Sequence, residues 1–265
     1  MTSDTAARTA SDDLIPLEKW KNAGRGIAVV TAYDTLFARL ADQAGADAVL
    51  VGDSVGPTIL GIPEADVTLS DMVHHGAAVR RGLHRSALLL DVPPRVAAQS
   101  PKRVAASLLR AVDRTGAAAV KIEGAGKHEL AVISAVLDAG LLVVGHLARR
   151  DGSDEALRAS ANALARLGLP AIVLVGIPDD VAASITSSEA AATISVSSGH
   201  RCDGSLVNSL AVAGLLRPPH KPAGDADVAG SATATTAALA DFCARARRRS
   251  RGADEPALAA PAVPV

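Results

Sequence analysis

The stretches AVLVGDS (48–54), ALLLDVP (87–93) and AAVKIEG (118–124) decide how this chain is read. Each is a short, nearly unbroken apolar run that closes on an acid: Asp53, Asp91 or Glu123. Runs of this kind are what parallel strands covered on both faces look like. Together with 27–33, 142–145, 171–175 and 193–196 they give seven strand candidates. Helix-like segments separate them at 36–44, 69–80, 101–115, 129–139, 154–167 and 179–187, and 14–23 reads as a short helix before the first strand. Gly45, Gly116, Gly140 and Gly168 each follow a helix, where a left-handed cap favours glycine. Seven such units in order predict an α/β fold, a (β/α)8 TIM-type barrel rather than an open doubly wound sheet. No eighth strand stands out. The proline-bearing segment 215–222 predicts an irregular one.

Length and composition fit that reading. The chain has 265 residues, and such a barrel typically takes ~250. The expected layout is a disordered lead-in at 1–13, one barrel domain at 14–250 and a disordered Ala/Pro tail at 251–265. A net charge of −1 gives no reason to expect nucleic acid or an anionic membrane. Trp20, Tyr33, Phe37 and Phe242 are all the aromatic residues there are, too few for a base-stacking platform. Cys202 and Cys243 lack metal-ligand spacing and read as two reduced thiols. The polar, acidic start has no signal-peptide character. The most apolar stretch, 130–144, is broken by Asp138 and Gly140 and is too short to span a bilayer. A cytoplasmic protein is expected.

In a barrel of this type the active site lies at the C-terminal ends of the strands. The residues expected there are Tyr33, Asp34, Asp53, Ser54, Asp91, Lys121, Glu123 and His146. Three acids on one rim repel each other unless a cation holds them. Asp53, Asp91 and Glu123 supply hard oxygen ligands suited to Mg²⁺, which leaves positions for substrate oxygens. Lys121 is two residues before Glu123, so on a strand both point to one side, and its ammonium can hold a substrate carboxylate. His146 can donate a hydrogen bond to a developing enolate oxygen. Weaker motifs carry less. GAGK (124–127) lacks the first glycine and the Ser/Thr of a phosphate loop. His74 and His75 are not at ligand spacing, and the basic run 244–251 reads as a solvated helix end.

The phrases TAYD (31–34), VGDS (51–54), HHGAAVRRG (74–82), LLLDVP (88–93), VKIEG (120–124) and GHL (145–147) carry a resemblance. In this order they resemble the ketopantoate hydroxymethyltransferase family, within the wider group of phosphoenolpyruvate mutase/isocitrate lyase barrels. The resemblance implies a homo-oligomer that binds Mg²⁺ together with a small α-keto acid, with methylenetetrahydrofolate as one-carbon donor. It implies Asp53, Asp91 and Glu123 as metal-site residues, Ser54 and Lys121 as keto-acid contacts, and His146 as a catalytic hydrogen-bond partner of the substrate.

The second half departs from that pattern. The family carries a glutamate at the end of the next strand as general base, and this chain has Val175 there, in AIVLVGIP (171–178). ARRDGSDEALR (148–158) replaces most of a glycine-rich loop, and SVSSG (195–199) replaces a glycine-rich phrase. Asp203 and Gly204 remain from an Asp-Gly-Gln phrase, while Ser205, Asn208 and Ser209 differ from it. These departures predict slow proton abstraction, raised by Val175→Glu unless Asp179 or Asp180 supplies the base. Hydroxymethyl transfer to 2-oxoisovalerate is the first reading of function. A lyase or decarboxylase acting on a metal-bound keto acid, or a non-catalytic barrel, are the alternatives.

Overall fold

The computed structural model describes residues 16–149, 152–196 and 201–216. Eight parallel strands close in sequence order into one barrel. They are β1 Ile27–Thr31, β2 Ala48–Val51, β3 Ala87–Asp91, β4 Ala119–Glu123, β5 Val143–Ala148, β6 Ala171–Val175, β7 Ala192–Val196 and β8 Gly204–Asn208. The α-helices are α1 Thr35–Gln43, α2 Leu69–Arg80, α3 Pro94–Ala97, α4 Pro101–Thr115, α5 Lys127–Asp138, α6 Asp154–Arg166, α7 Asp179–Ser188 and α8 Ser209–Val212. The (β/α)8 fold expected from the strand pattern is the fold observed. The expected lead-in 1–13, the tail 251–265 and the basic run 244–251 lie outside the described residues. Contacts group Met1–Ser209 as one compact unit and Leu210–Val265 as another.

The first seven strands read as nearly continuous apolar runs because both of their faces are largely buried. Inward residues Val29, Leu50, Leu89, Val144, Val173 and Ile194 fill the barrel. Its N-terminal end is closed by a 3₁₀ turn, Leu17–Asn22, whose Trp20 is 1% exposed. Outward residues Ile122, Leu147 and Ile172 meet Leu108, Ile133 and Leu164 of the helices. Local signals set the helix ends. Thr68 and Asp71 form a reciprocal capping box at the start of α2, and Gly116, at φ 67°, ends α4 by donating its amide to Val112 O.

The eighth strand corrects the sequence reading. It lies at Gly204–Asn208, ahead of the segment expected to hold an irregular strand, of which 217–222 fall outside the described residues. Against β1 it is regular over five register positions; against β7 it pairs over two. Its half-exposed alternation, with a glycine at its head, does not look like a strand buried on both faces. Gly204 is required by closure. A Cβ there would lie 2.4 Å from Ile27 O and 2.8 Å from Ile194 Cδ1. Beside it, Asp203 Oδ2 accepts from Thr193 N at 2.8 Å and pairs with Lys21 Nζ at 3.0 Å, and its carbonyl accepts from Ile27 N. The Asp-Gly phrase therefore locks the N-terminal end of the barrel, opposite the rim where the acids lie.

Candidate functional site

Along β3, β4 and β5 the inward face changes from apolar to ionisable at the C-terminal end. Alternation puts Asp91 two residues beyond Leu89, Lys121 and Glu123 beyond Ala119, and His146 beyond Val144. Parallel register then sets Asp91 opposite Lys121, and Glu123 opposite His146. Asp53, Ser54, Asp91, Lys121, Glu123 and His146 all line one cavity of about 260 Å³. Asp34 is elsewhere in role: it is exposed, and its Oδ1 caps α1 by accepting from Phe37 N at 2.8 Å. Tyr33 is a support. His75 Nδ1–H donates to its carbonyl at 2.7 Å, and its hydroxyl lies 2.8 Å from Ser54 Oγ while accepting from Asn208 Nδ2 at 2.9 Å.

Lys121 Nζ is 2.8 Å from Asp91 Oδ1, and both side chains are buried. Burial, reinforced by the charge of Asp53, pushes Asp91 up to about 7 against the pull of Lys121. Burial also opposes the Lys121 charge, but Asp91, Asp53 and Glu123 outweigh it and hold the lysine above its ordinary value. The ammonium is 3.2 Å from His146 Nδ1. An ammonium has only donors to offer, so Nδ1 accepts and the neutral ring carries its proton on Nε2. Glu123 Oε2 is 3.5 Å from the same Nδ1 and, with that nitrogen accepting, is a neighbour of the ring and not its hydrogen-bond partner.

The donor chemistry suits a hard divalent cation. Asp91 Oδ2 accepts the Asp53 amide at 3.3 Å, which sets these two residues side by side. Glu123 leans toward His146 instead. Among the described residues no three His, Cys, Asp or Glu side chains form a ready-made cation cage, so the triad of acids expected from the sequence is not pre-assembled. Mg²⁺ is usually bound by one or two carboxylates with waters and substrate oxygens, and the Asp53–Asp91 pair is enough for that.

The buried pair makes a stability prediction. Between pH 3.8 and about 7 the folded state holds a proton on Asp91 that the unfolded state lacks, so stability falls as pH rises through this window. Lys121→Met removes the main group that lowers the Asp91 pKa and extends the fall above pH 7. The variant should lose up to ~1.4 kcal/mol relative to the parent for each pH unit of that extension. Thermal melts at pH 6 and pH 8.5 should show the gap widening. A gap independent of pH would place Asp91 outside the influence of Lys121.

Two polar residues of the cavity were not among the expected site residues. Thr31 ends β1 facing inward. Glu64 reaches the cavity from the loop between β2 and α2, which has no strand pattern to flag it. Val173 and Val175 supply an apolar wall from β6. Asp179 and Asp180 are exposed in the first turn of α7 and do not line the cavity.

Residues 13–251 match the family model described as ketopantoate hydroxymethyltransferase. The chain belongs to the ketopantoate hydroxymethyltransferase family. It is 36% identical over 222 residues to the 3-methyl-2-oxobutanoate hydroxymethyltransferase of Synechocystis sp., covering 77% of this chain and 85% of that one. With the Aeropyrum pernix protein of the same name the identity is 39%, over 75% of this chain and 77% of the other. Solved structures extend the likeness in fold. A phosphoenolpyruvate phosphomutase from Streptomyces platensis superposes with a TM-score of 0.65 at 17% identity, covering 90% of this chain and 92% of that one. A phosphonopyruvate hydrolase solved with oxalate and Mg²⁺ superposes with a TM-score of 0.64 at 16% identity, over 92% and 91%. This member of the ketopantoate hydroxymethyltransferase family has no helix, among its described residues, long and apolar enough to cross a membrane.

Proposed function

We propose that the chain converts 2-oxoisovalerate, methylenetetrahydrofolate and water to ketopantoate and tetrahydrofolate, with Mg²⁺ at the Asp53–Asp91 pair. The convergence of that pair, Lys121 and His146 in one small cavity carries the reading. The names of the relatives and the oxalate–Mg²⁺ complex of a structural neighbour support it. When bound, the cation supplies electrophilic pull on the oxygens of the keto acid.

The chain's own groups do the rest. Lys121 supplies a fixed positive charge to the keto-acid carboxylate and to the enolate oxygen as charge develops there. Lys121, donating to His146 Nδ1, leaves the ring proton on Nε2. Ser54, tied to the Tyr33–Asn208 pair, contacts the keto acid with an oriented hydroxyl. Val173, Val175 and Leu206 exclude water from one side of the cavity. A second cavity of about 600 Å³ shares Glu123 with the first and offers the one-carbon carrier an adjoining seat, walled by Val92, Pro94 and Ala97. Assembly with further copies is part of the reading. Leu36 and Leu40, one turn apart on α1 and 61% and 50% exposed, give an apolar stripe for it.

The test is product formation. The full chain, incubated with Mg²⁺, 2-oxoisovalerate and methylenetetrahydrofolate, should accumulate ketopantoate by proton NMR. Absence of product with both substrates bound would contradict the reading.

A further inference from the structure

One acid of the cavity belongs to no strand end. Glu64 lines the same space as Asp53, Asp91, Lys121 and Val175, and the loop that carries it is folded tightly. After β2, residues Gly56–Leu60 form a π turn closed by Gly61 at φ 69°. The chain then doubles back so closely that a Cβ on Gly56 would lie 2.7 Å from Val67 Cγ2 and 2.9 Å from Ile62 O. Ile62 N donates to Gly56 O at 3.1 Å, Val67 is 1% exposed, and Asp66 pairs with Arg95. Glu64 opens the short turn Glu64–Asp66 and is therefore held from both sides.

In a closed barrel of eight strands β2 and β6 face each other across the axis. Glu64, from the loop after β2, and Val175, at the end of β6, thus line the keto-acid cavity from opposite sides, and the Val175 side chain can take no proton. The other acids near β6, Asp179 and Asp180, do not reach this space. We infer that Glu64 is the catalytic base of the proposed reaction, an assignment that rests on the function proposed above. Its carboxylate takes the proton from C3 of 2-oxoisovalerate. The C3–H electron pair forms the C2–C3 double bond, and the carbonyl π pair moves onto the ketone oxygen beside Lys121. The slow exchange expected from Val175 alone is replaced by exchange that depends on Glu64.

The experiment follows C3 proton exchange of 2-oxoisovalerate in D₂O with Mg²⁺ and the full chain by NMR. Calorimetric binding of the keto acid in Mg²⁺ is measured alongside. The parent should exchange. Glu64→Gln, on an exposed turn, should bind as the parent does and exchange more slowly by ~10²–10⁴-fold, the usual contribution of a positioned base. Exchange regained in the double variant Glu64→Gln, Val175→Glu would show that the lost function is a carboxylate at this cavity. Parent-like exchange in Glu64→Gln, or a parent that binds without exchanging, would overturn the assignment. Loss of binding in Glu64→Gln would also overturn it, making Glu64 a binding group. A parent that does not bind the keto acid would overturn the proposed function and the base with it.

Discussion

Asp91→Asn is expected to remove Mg²⁺-dependent keto-acid binding while leaving the barrel folded. Metal binding needs a deprotonated carboxylate, and an amide in its place supplies one neutral oxygen to a cation that favours charge. Partners that merely orient ligands typically contribute 10–100-fold to metal affinity; a direct carboxylate ligand should contribute at least ~100-fold by the same measure. The fold should tolerate the change because asparagine keeps the shape of Asp91 and a carbonyl oxygen that can accept from Lys121 Nζ. Lys121 keeps Asp53 and Glu123 as charged neighbours. Mn²⁺, as a probe for the site, can be followed by the EPR signal of the free ion with and without 2-oxoisovalerate. Parent-like binding by the variant would put the cation elsewhere.

Gly204→Ala is expected to be the most damaging small change in the barrel wall. The added carbon would meet the backbone oxygen of Ile27 at 2.4 Å and the Ile27 Cβ at 2.7 Å. Overpacking usually costs about 1–3 kcal/mol when side chains can give way. Here the obstructing atoms are the backbone of β1 and the root of its side chain, which are tied into the sheet by the β1–β8 register, so the cost should reach or exceed ~3 kcal/mol. Urea unfolding of parent and variant checks this. Equal midpoints would mean that β8 closes the barrel in some other way.

The same glycine explains what the sequence hid. The first seven strands were legible because helices cover one face and the barrel interior the other, which leaves no room for polar alternation. β8 has Val207 42% exposed and a glycine at its head, so it carried neither signal. Asp203 and Gly204 looked like remnants of a functional phrase, and the structure gives them a closing role at the far end. The rim was legible for a different reason. Strand parity alone aims Asp91, Lys121, Glu123 and His146 inward, and parallel register aligns them. What parity cannot give is which neighbours pair. Lys121 chooses Asp91 on the adjacent strand rather than the acid two residues along its own, and that leaves Glu123 to His146. Glu64 was invisible because its place depends on Gly56 letting a loop fold back on itself, a tertiary contact with no local pattern.

The central claim is that one small cavity at the C-terminal rim binds a divalent cation and a keto acid together. Calorimetric titration of 2-oxoisovalerate into the full chain, once with Mg²⁺ and once with a chelator, tests it most directly. Saturable heat in Mg²⁺ that vanishes with the chelator is the predicted result. No binding in either, or equal binding in both, would contradict it.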